Sequence, residues 1–160
     1  MQRVFPYILY EEVPAALEWL TRAFGFREWL RYAEDDGRVS HAEMRLGDTA
    51  ILLGGPKGYE SPRRHGHVCQ YVVVAVDDVD RHFERAKRSG AEIISDLKTQ
   101  PWGDREYRAK DPEGHVWFIE QHLRAVSPED WGAVRKVNGK PRVAAQVKSR
   151  RPSPHRTRRK

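Results

Sequence analysis

Two stretches of the chain carry the same order of apolar and polar positions. Residues 4–26, VFPYILYEEVPAALEWLTRAFGF, and residues 68–91, VCQYVVVAVDDVDRHFERAKRSGA, each read as a strand, an acidic turn, an amphipathic helix and a glycine stop. In the first, Pro14 suits the opening helical turn, Leu17, Leu20 and Phe24 fall on one face, and Gly25 supplies a left-handed cap. In the second, Asp77 or Asp78 caps the helix, Val79, Phe83 and Ala86 make the apolar stripe, and Gly90 ends it. Val13 and Val79 set the repeat at 66 residues.

Both helices are followed by three short alternating or apolar runs separated by turn residues. The first half continues as REWLRYA, SHAEMRL and TAILLGG, and the second as EIISDL, REYRAK and HVWFIEQ. The pattern therefore predicts two βαβββ modules, at about residues 3–54 and 67–122, within one domain spanning 1–125. A Gly/Pro-rich linker at 55–66 separates them, and SPEDWGAV predicts a short helix within 126–134. Each sheet is expected to have a helix on one face. Its other face must meet the second sheet, meet another subunit or line a cavity.

Composition narrows the setting. A chain of 160 residues that is 39% hydrophobic can bury one sizeable core. No run approaches the roughly 18 apolar residues of a membrane span, and the N-terminus lacks a signal-peptide pattern, so a cytoplasmic protein without membrane contact is expected. The single cysteine, Cys69, lies in an alternating segment and reads as a buried, inert thiol.

The formal charge of +6 is not evenly spread. Residues 135–160 hold 11 of the 29 Lys and Arg and none of the 23 Asp and Glu, which leaves an acidic core of 18 basic against 23 acidic groups. This basic tail, rich in Arg, Ser and Pro, is expected to be disordered and to make at most weak, salt-sensitive contact with nucleic acid.

The phrases YEEVPAALEWLTRAFGF, VDDVDRHFERAKRSGAEI and PWGDREYRAKDPEGHVWFIEQ resemble the vicinal oxygen chelate superfamily, over about residues 3–122. That superfamily includes glyoxalase I, extradiol dioxygenases, fosfomycin-resistance enzymes and bleomycin-resistance proteins. The resemblance implies an α+β fold in which two βαβββ modules form a curled mixed sheet around a cleft, with helices on the outer face, usually in a homodimer. It also implies a divalent metal held by side chains from the first and last strand of each module. In this sequence those positions fall on Phe5, Tyr71, Phe118 and Leu52 or Leu53, which are poor metal ligands.

The reading that follows is a metal-free, cofactor-free homodimer of the bleomycin-resistance type, sequestering an aromatic or cationic small molecule. Aromatic planes for stacking and a few oriented polar groups are what such a cleft needs. Phe5, Tyr71, Trp102, Arg105, Tyr107 and Phe118 are the candidate ligand-binding residues, whereas Trp19, Phe24, Phe83 and Trp117 read as core. The alternative is a metal-dependent lyase, isomerase, dioxygenase or transferase of the same superfamily, with a divalent metal on His41, Glu43, His67 and Glu120. His115 reads as a hydrogen-bonding residue of the DPEG turn rather than a base.

Overall fold

The computed structural model describes residues 2–137 and 140–142, in two compact units, Met1–Ala125 and Val126–Lys160. The first unit opens with β1 (Tyr7–Leu9), α1 (Val13–Phe24), β2 (Arg27–Ala33), β3 (Val39–Leu46) and β4 (Thr49–Gly54). A four-residue helix, α2 (Pro62–His65), interrupts the linker. The pattern then repeats as β5 (Tyr71–Ala75), α3 (Val79–Arg88), β6 (Glu92–Thr99), β7 (Asp104–Lys110) and β8 (Val116–His122).

Each module forms a four-stranded mixed sheet, ordered β1-β4-β3-β2 and β5-β8-β7-β6. The parallel pairs share one register: Tyr7 faces Leu52 in the first, and Val73 faces Phe118 in the second, each 66 residues on. The fold is thus α+β with two βαβββ modules, as the sequence periods require.

The helices form where the sequence marks them. Pro14 lies in the first turn of α1, and Gly25 follows its last residue at φ 83°, a conformation that only glycine adopts cheaply. The Asp78 carboxylate caps α3 by accepting from the Arg81 amide at 2.9 Å, a contact worth about 1 kcal/mol. α1 buries Val13, Ala16, Leu17, Trp19, Leu20, Ala23 and Phe24, and each large side chain among them contributes about 1.5–3 kcal/mol.

The two modules meet through their helices. α1 packs on α3, and Phe24 and Phe26 lie edge-on to the buried Trp117 ring at 5.4 and 5.9 Å. Module two also satisfies both ends of α1. Glu113 accepts from the Glu11 and Glu12 amides, each at 2.8 Å. At the other end, Arg85 donates to the Thr21 and Arg22 carbonyls at 2.8 and 3.0 Å, and the His82 imidazole bonds the Phe24 carbonyl at 3.1 Å. Helix termini leave such groups unpaired, so these contacts lock the modules together. Among the described residues the two sheets share no strand pairing, and each leaves the face away from its helix open.

Two expectations change here, and a third, the short helix, is met in 3-10 form. Cys69 is exposed, because β5 begins two residues after it and the alternation around it belongs to a loop. The predicted helix in 126–134 is a single 3-10 turn, Pro128–Trp131. Within the expected structureless tail, Arg135–Val137 and Lys140–Arg142 pair as antiparallel strands β9 and β10. Residues 143–160, on which the rest of that expectation falls, lie outside the described residues. No helix among the described residues is long and apolar enough to cross a membrane.

Candidate functional site

Strand alternation places one set of side chains on the open face of each sheet. On the second sheet, the Tyr71 and Phe118 rings stack with centroids 4.9 Å apart and planes 19° from parallel. The Arg108 guanidinium, from the residue opposite Phe118 on β7, lies 4.1 Å from the Phe118 centroid. Arg108 also pairs with Glu106 at 3.2 Å, and Gln100 donates to the same carboxylate oxygen at 2.9 Å. Glu106 is only 3% exposed, a burial that these partners make tolerable.

Directly across the β7–β8 ladder from Glu106 stands Glu120. Partial burial, then the neighbouring carboxylates of Asp104 and Glu106, push its pKa above the usual range. Asp104 itself pairs with His122 at 2.7 Å. This face therefore runs from an aromatic stack through an arginine to a group of carboxylates.

The open face of the first sheet is also aromatic. The Tyr7 hydroxyl and His41 Nδ1 lie 3.0 Å apart, and His41 Nε2 is 3.7 Å from the Glu43 carboxylate. Arg45 sits over the Trp29 ring at 3.8 Å. Leu30 and Tyr32 pair with Glu43 and His41 across β2–β3, so they share this face. Gln2 pins the preceding segment against β4 through both directions of its amide to Ala50, which brings Phe5 alongside the sheet.

The candidate residues thus separate into distinct places. Tyr71 and Phe118 stand together on the second open face, and Phe5 is exposed beside the first. Trp102 is half-buried in the turn between β6 and β7. Tyr107 is not a wall residue: it has the opposite parity to Glu106 and Arg108, is fully buried, and bonds His82 Nδ1 at 2.8 Å. Arg105 shares that parity and pairs with Asp80 of α3 at 2.7 Å, so it too belongs to the helix side.

His67 lies in the loop between α2 and β5, outside any strand, where its imidazole meets the His65 carbonyl at 3.3 Å. It therefore has no strand parity with Tyr71. His41 and Glu43 are together on the first sheet, and Glu120 is on the second. Among the described residues no three His, Cys, Asp or Glu side chains gather as a metal would require. The positions that the superfamily uses for a metal carry Phe5, Leu52, Tyr71 and Phe118, three hydrocarbons and one phenol already stacked on its neighbour. This donor set does not fit a divalent ion.

Two residues that sequence reasoning passed over organise the region. Arg108 lies in REYRAK, whose polar residues on both faces disguise which one stacks on Phe118. Asp111, which opens the DPEG turn and is 1% exposed, accepts from the Glu113 and His115 amides, the Trp117 indole and the Tyr10 hydroxyl. The buried carboxylate is the internal frame of the hairpin. His115 is half-buried beside it, edge-on to Tyr10 at 4.7 Å, and burial lowers its pKa.

Paired βαβββ modules with an open, aromatic sheet face define a protein class, and comparison with known proteins agrees with it. Residues 5–119 match the model of the Glyoxalase/Bleomycin resistance protein/Dioxygenase superfamily, and the chain belongs to that family. It is similar to the crystal structure of TioX from Micromonospora sp. ML1, with 36% identity, a TM-score of 0.63, and coverage of 77% of this chain and all of that one. An uncharacterized protein of Mycobacterium bovis is 29% identical over 84% of this chain and 92% of its own. TnmS3, an antibiotic binding protein from Streptomyces sp. CB03234, shares the fold at 18% identity and a TM-score of 0.60, over 76% of this chain and 97% of that one.

Proposed function

We propose that this protein is a homodimeric, metal-free binding protein that sequesters a planar aromatic, cationic small molecule in the cytoplasm, without making or breaking a bond. The observation that carries the reading is the Tyr71–Phe118 stack on an open sheet face, flanked by Arg108 and ending at the carboxylate of Glu120. A flat ligand gains stacking area from the rings, and a ligand cation gains a counter-charge from Glu120. Membership of a family that includes bleomycin-resistance proteins, and a fold shared with an antibiotic binding protein, support a ligand of this kind.

A second copy supplies the missing half of the groove. Tyr7, Leu9, Leu30 and Tyr32 on one sheet and Tyr71 and Val73 on the other are exposed, and apolar surface on this scale marks an interaction face. The unsuitable donor set at the superfamily's metal positions argues for binding rather than metal-assisted chemistry.

Elemental analysis of the purified protein, joined to a ligand screen with and without EDTA, tests the proposal. Substoichiometric metal and EDTA-insensitive binding of planar cations are expected. Stoichiometric zinc, iron, manganese or nickel, or binding that EDTA abolishes, would overturn it.

A further inference from the structure

A cavity of about 360 Å³ opens beside the first turns of α1, away from both open sheet faces. Its apolar lining comes from Tyr10, Ala15, Ala16, Trp19 and Leu20. Two successive alanines leave room where larger side chains would fill the space. The Trp19 ring is braced by Phe24, edge-on at 4.8 Å. The remaining wall is mostly polar and comes from the residues before α1, from α2 and from the DPEG turn, Glu11, Arg64 and Glu113 among them. A volume of this size suits a small ligand held by an apolar body and a few polar contacts.

The charged lining decides the charge of that ligand. Glu11, Glu12, Asp111 and Glu113 line the cavity, against only Arg63 and Arg64. Arg63 is committed to the Pro112 carbonyl at 2.7 Å and to Glu92 at 2.9 Å. Among the described residues, the Arg64 side chain makes one long, 3.4 Å contact, with Glu11. Asp111 already accepts four hydrogen bonds, from Tyr10, Glu113, His115 and Trp117. Glu11 and Glu113 retain capacity: each Glu113 oxygen accepts one amide, and Glu11 accepts the Ser61 amide at 2.7 Å. A carboxylate offers about four acceptor sites, so both have room for another donor.

We infer that this cavity is a second binding site, for a small organic amine whose ammonium group donates to Glu11 and Glu113 while its hydrocarbon body lies on Trp19 and Leu20. The site is independent of the sheet groove. Burial, together with Asp111 and Glu11, raises the pKa of Glu113, a strain that a bound cation relieves.

The test uses the full chain, with 2-phenylethylamine as the probe and 2-phenylethanol and phenylacetate as its neutral and anionic counterparts. The Trp19 indole resonance, assigned with Trp19→Phe, is followed by NMR during each titration. Saturable shifts with the amine are expected, with affinity weaker by about tenfold for the alcohol and for the Glu11→Gln variant, as for loss of a charge-assisted hydrogen bond. Ala15 is exposed on α1, so Ala15→Trp fills the cavity from outside the core and should abolish the shifts at an unchanged melting temperature. Phenylacetate binding as tightly as the amine, no response at Trp19, or full binding by the folded Ala15→Trp variant would overturn the inference. Substitutions at Phe118 should leave this binding unaltered, which separates the site from the groove.

Discussion

The Tyr10 hydroxyl donates to the Asp111 carboxylate at 2.8 Å, joining positions 101 residues apart in the two modules. Asp111 is buried, and its other donors are the Trp117 indole and two amides of its own turn. Asp111→Ala would leave those donors unpaired in the interior. A loss of about 3 kcal/mol or more is expected, against about 1 kcal/mol for Tyr10→Phe, which removes one hydroxyl. Urea denaturation of the two variants measures both.

His82 gives the fold a dependence on acid. Burial is the main cause that lowers its pKa, and Arg85 adds to it, so the folded protein holds this imidazole neutral. The unfolded chain binds the proton more readily, hence stability is complete above the ordinary imidazole range near 6.5 and falls as pH drops through and below it. His115, shifted the same way by burial, contributes in the same direction. His82→Gln should cost about 1 kcal/mol at pH 8 from the altered bonds to Tyr107 and Phe24. The variant should lose less stability than the wild type between pH 7 and pH 5. Melting curves across that range check the difference in slope.

Glu120 has the opposite sign. Its pKa is raised by burial and by Asp104 and Glu106, so the folded state holds the proton longer than the unfolded chain does. Its ionisation therefore opposes folding as pH rises above the usual carboxylate range. Glu120→Gln should raise the melting temperature at pH 7 and leave it near the wild-type value at pH 4. The same variant should bind a cationic ligand of the groove more weakly.

The periods of the sequence made the architecture legible because a helix stripe and a strand alternation each bury one face, and both patterns recur with matching turns. The 66-residue repeat even carries the register of Tyr7–Leu52 into Val73–Phe118. The placement of individual side chains was less legible. In β7, Glu106 and Arg108 sit on the open face and Tyr107 in the core, not on the groove wall expected of it: strand parity turns its ring inward, where His82 satisfies the hydroxyl, while Arg108 and Gln100 satisfy Glu106. Arg105 follows the parity of Tyr107 and meets Asp80 of α3, a contact between elements that no local pattern encodes. The pairing of β9 with β10 was not legible, because the basic, apolar-poor composition from residue 135 onward carries no strand alternation.

Dimer formation has its own test at Val73, which is 55% exposed on the second sheet's open face. Val73→Lys places a charge on the surface that the proposed partner covers. It should leave the stability of the folded chain within about 0.5 kcal/mol, since the residue is exposed. The particle should fall from dimer to monomer in sedimentation equilibrium. A wild-type protein that is monomeric at micromolar concentration would contradict the proposed second copy.

The central claim is a metal-independent groove whose aromatic wall is Tyr71 and Phe118. Isothermal titration with planar cationic aromatics, proflavine and ethidium among them, tests it most directly when wild type and Phe118→Ala are compared in EDTA. Loss of one stacking ring is worth about 1 kcal/mol, plus the ring's buried area, so the account predicts saturable wild-type binding that weakens about tenfold or more in the variant. Binding that requires added metal, or that is equal in the two proteins, would contradict it.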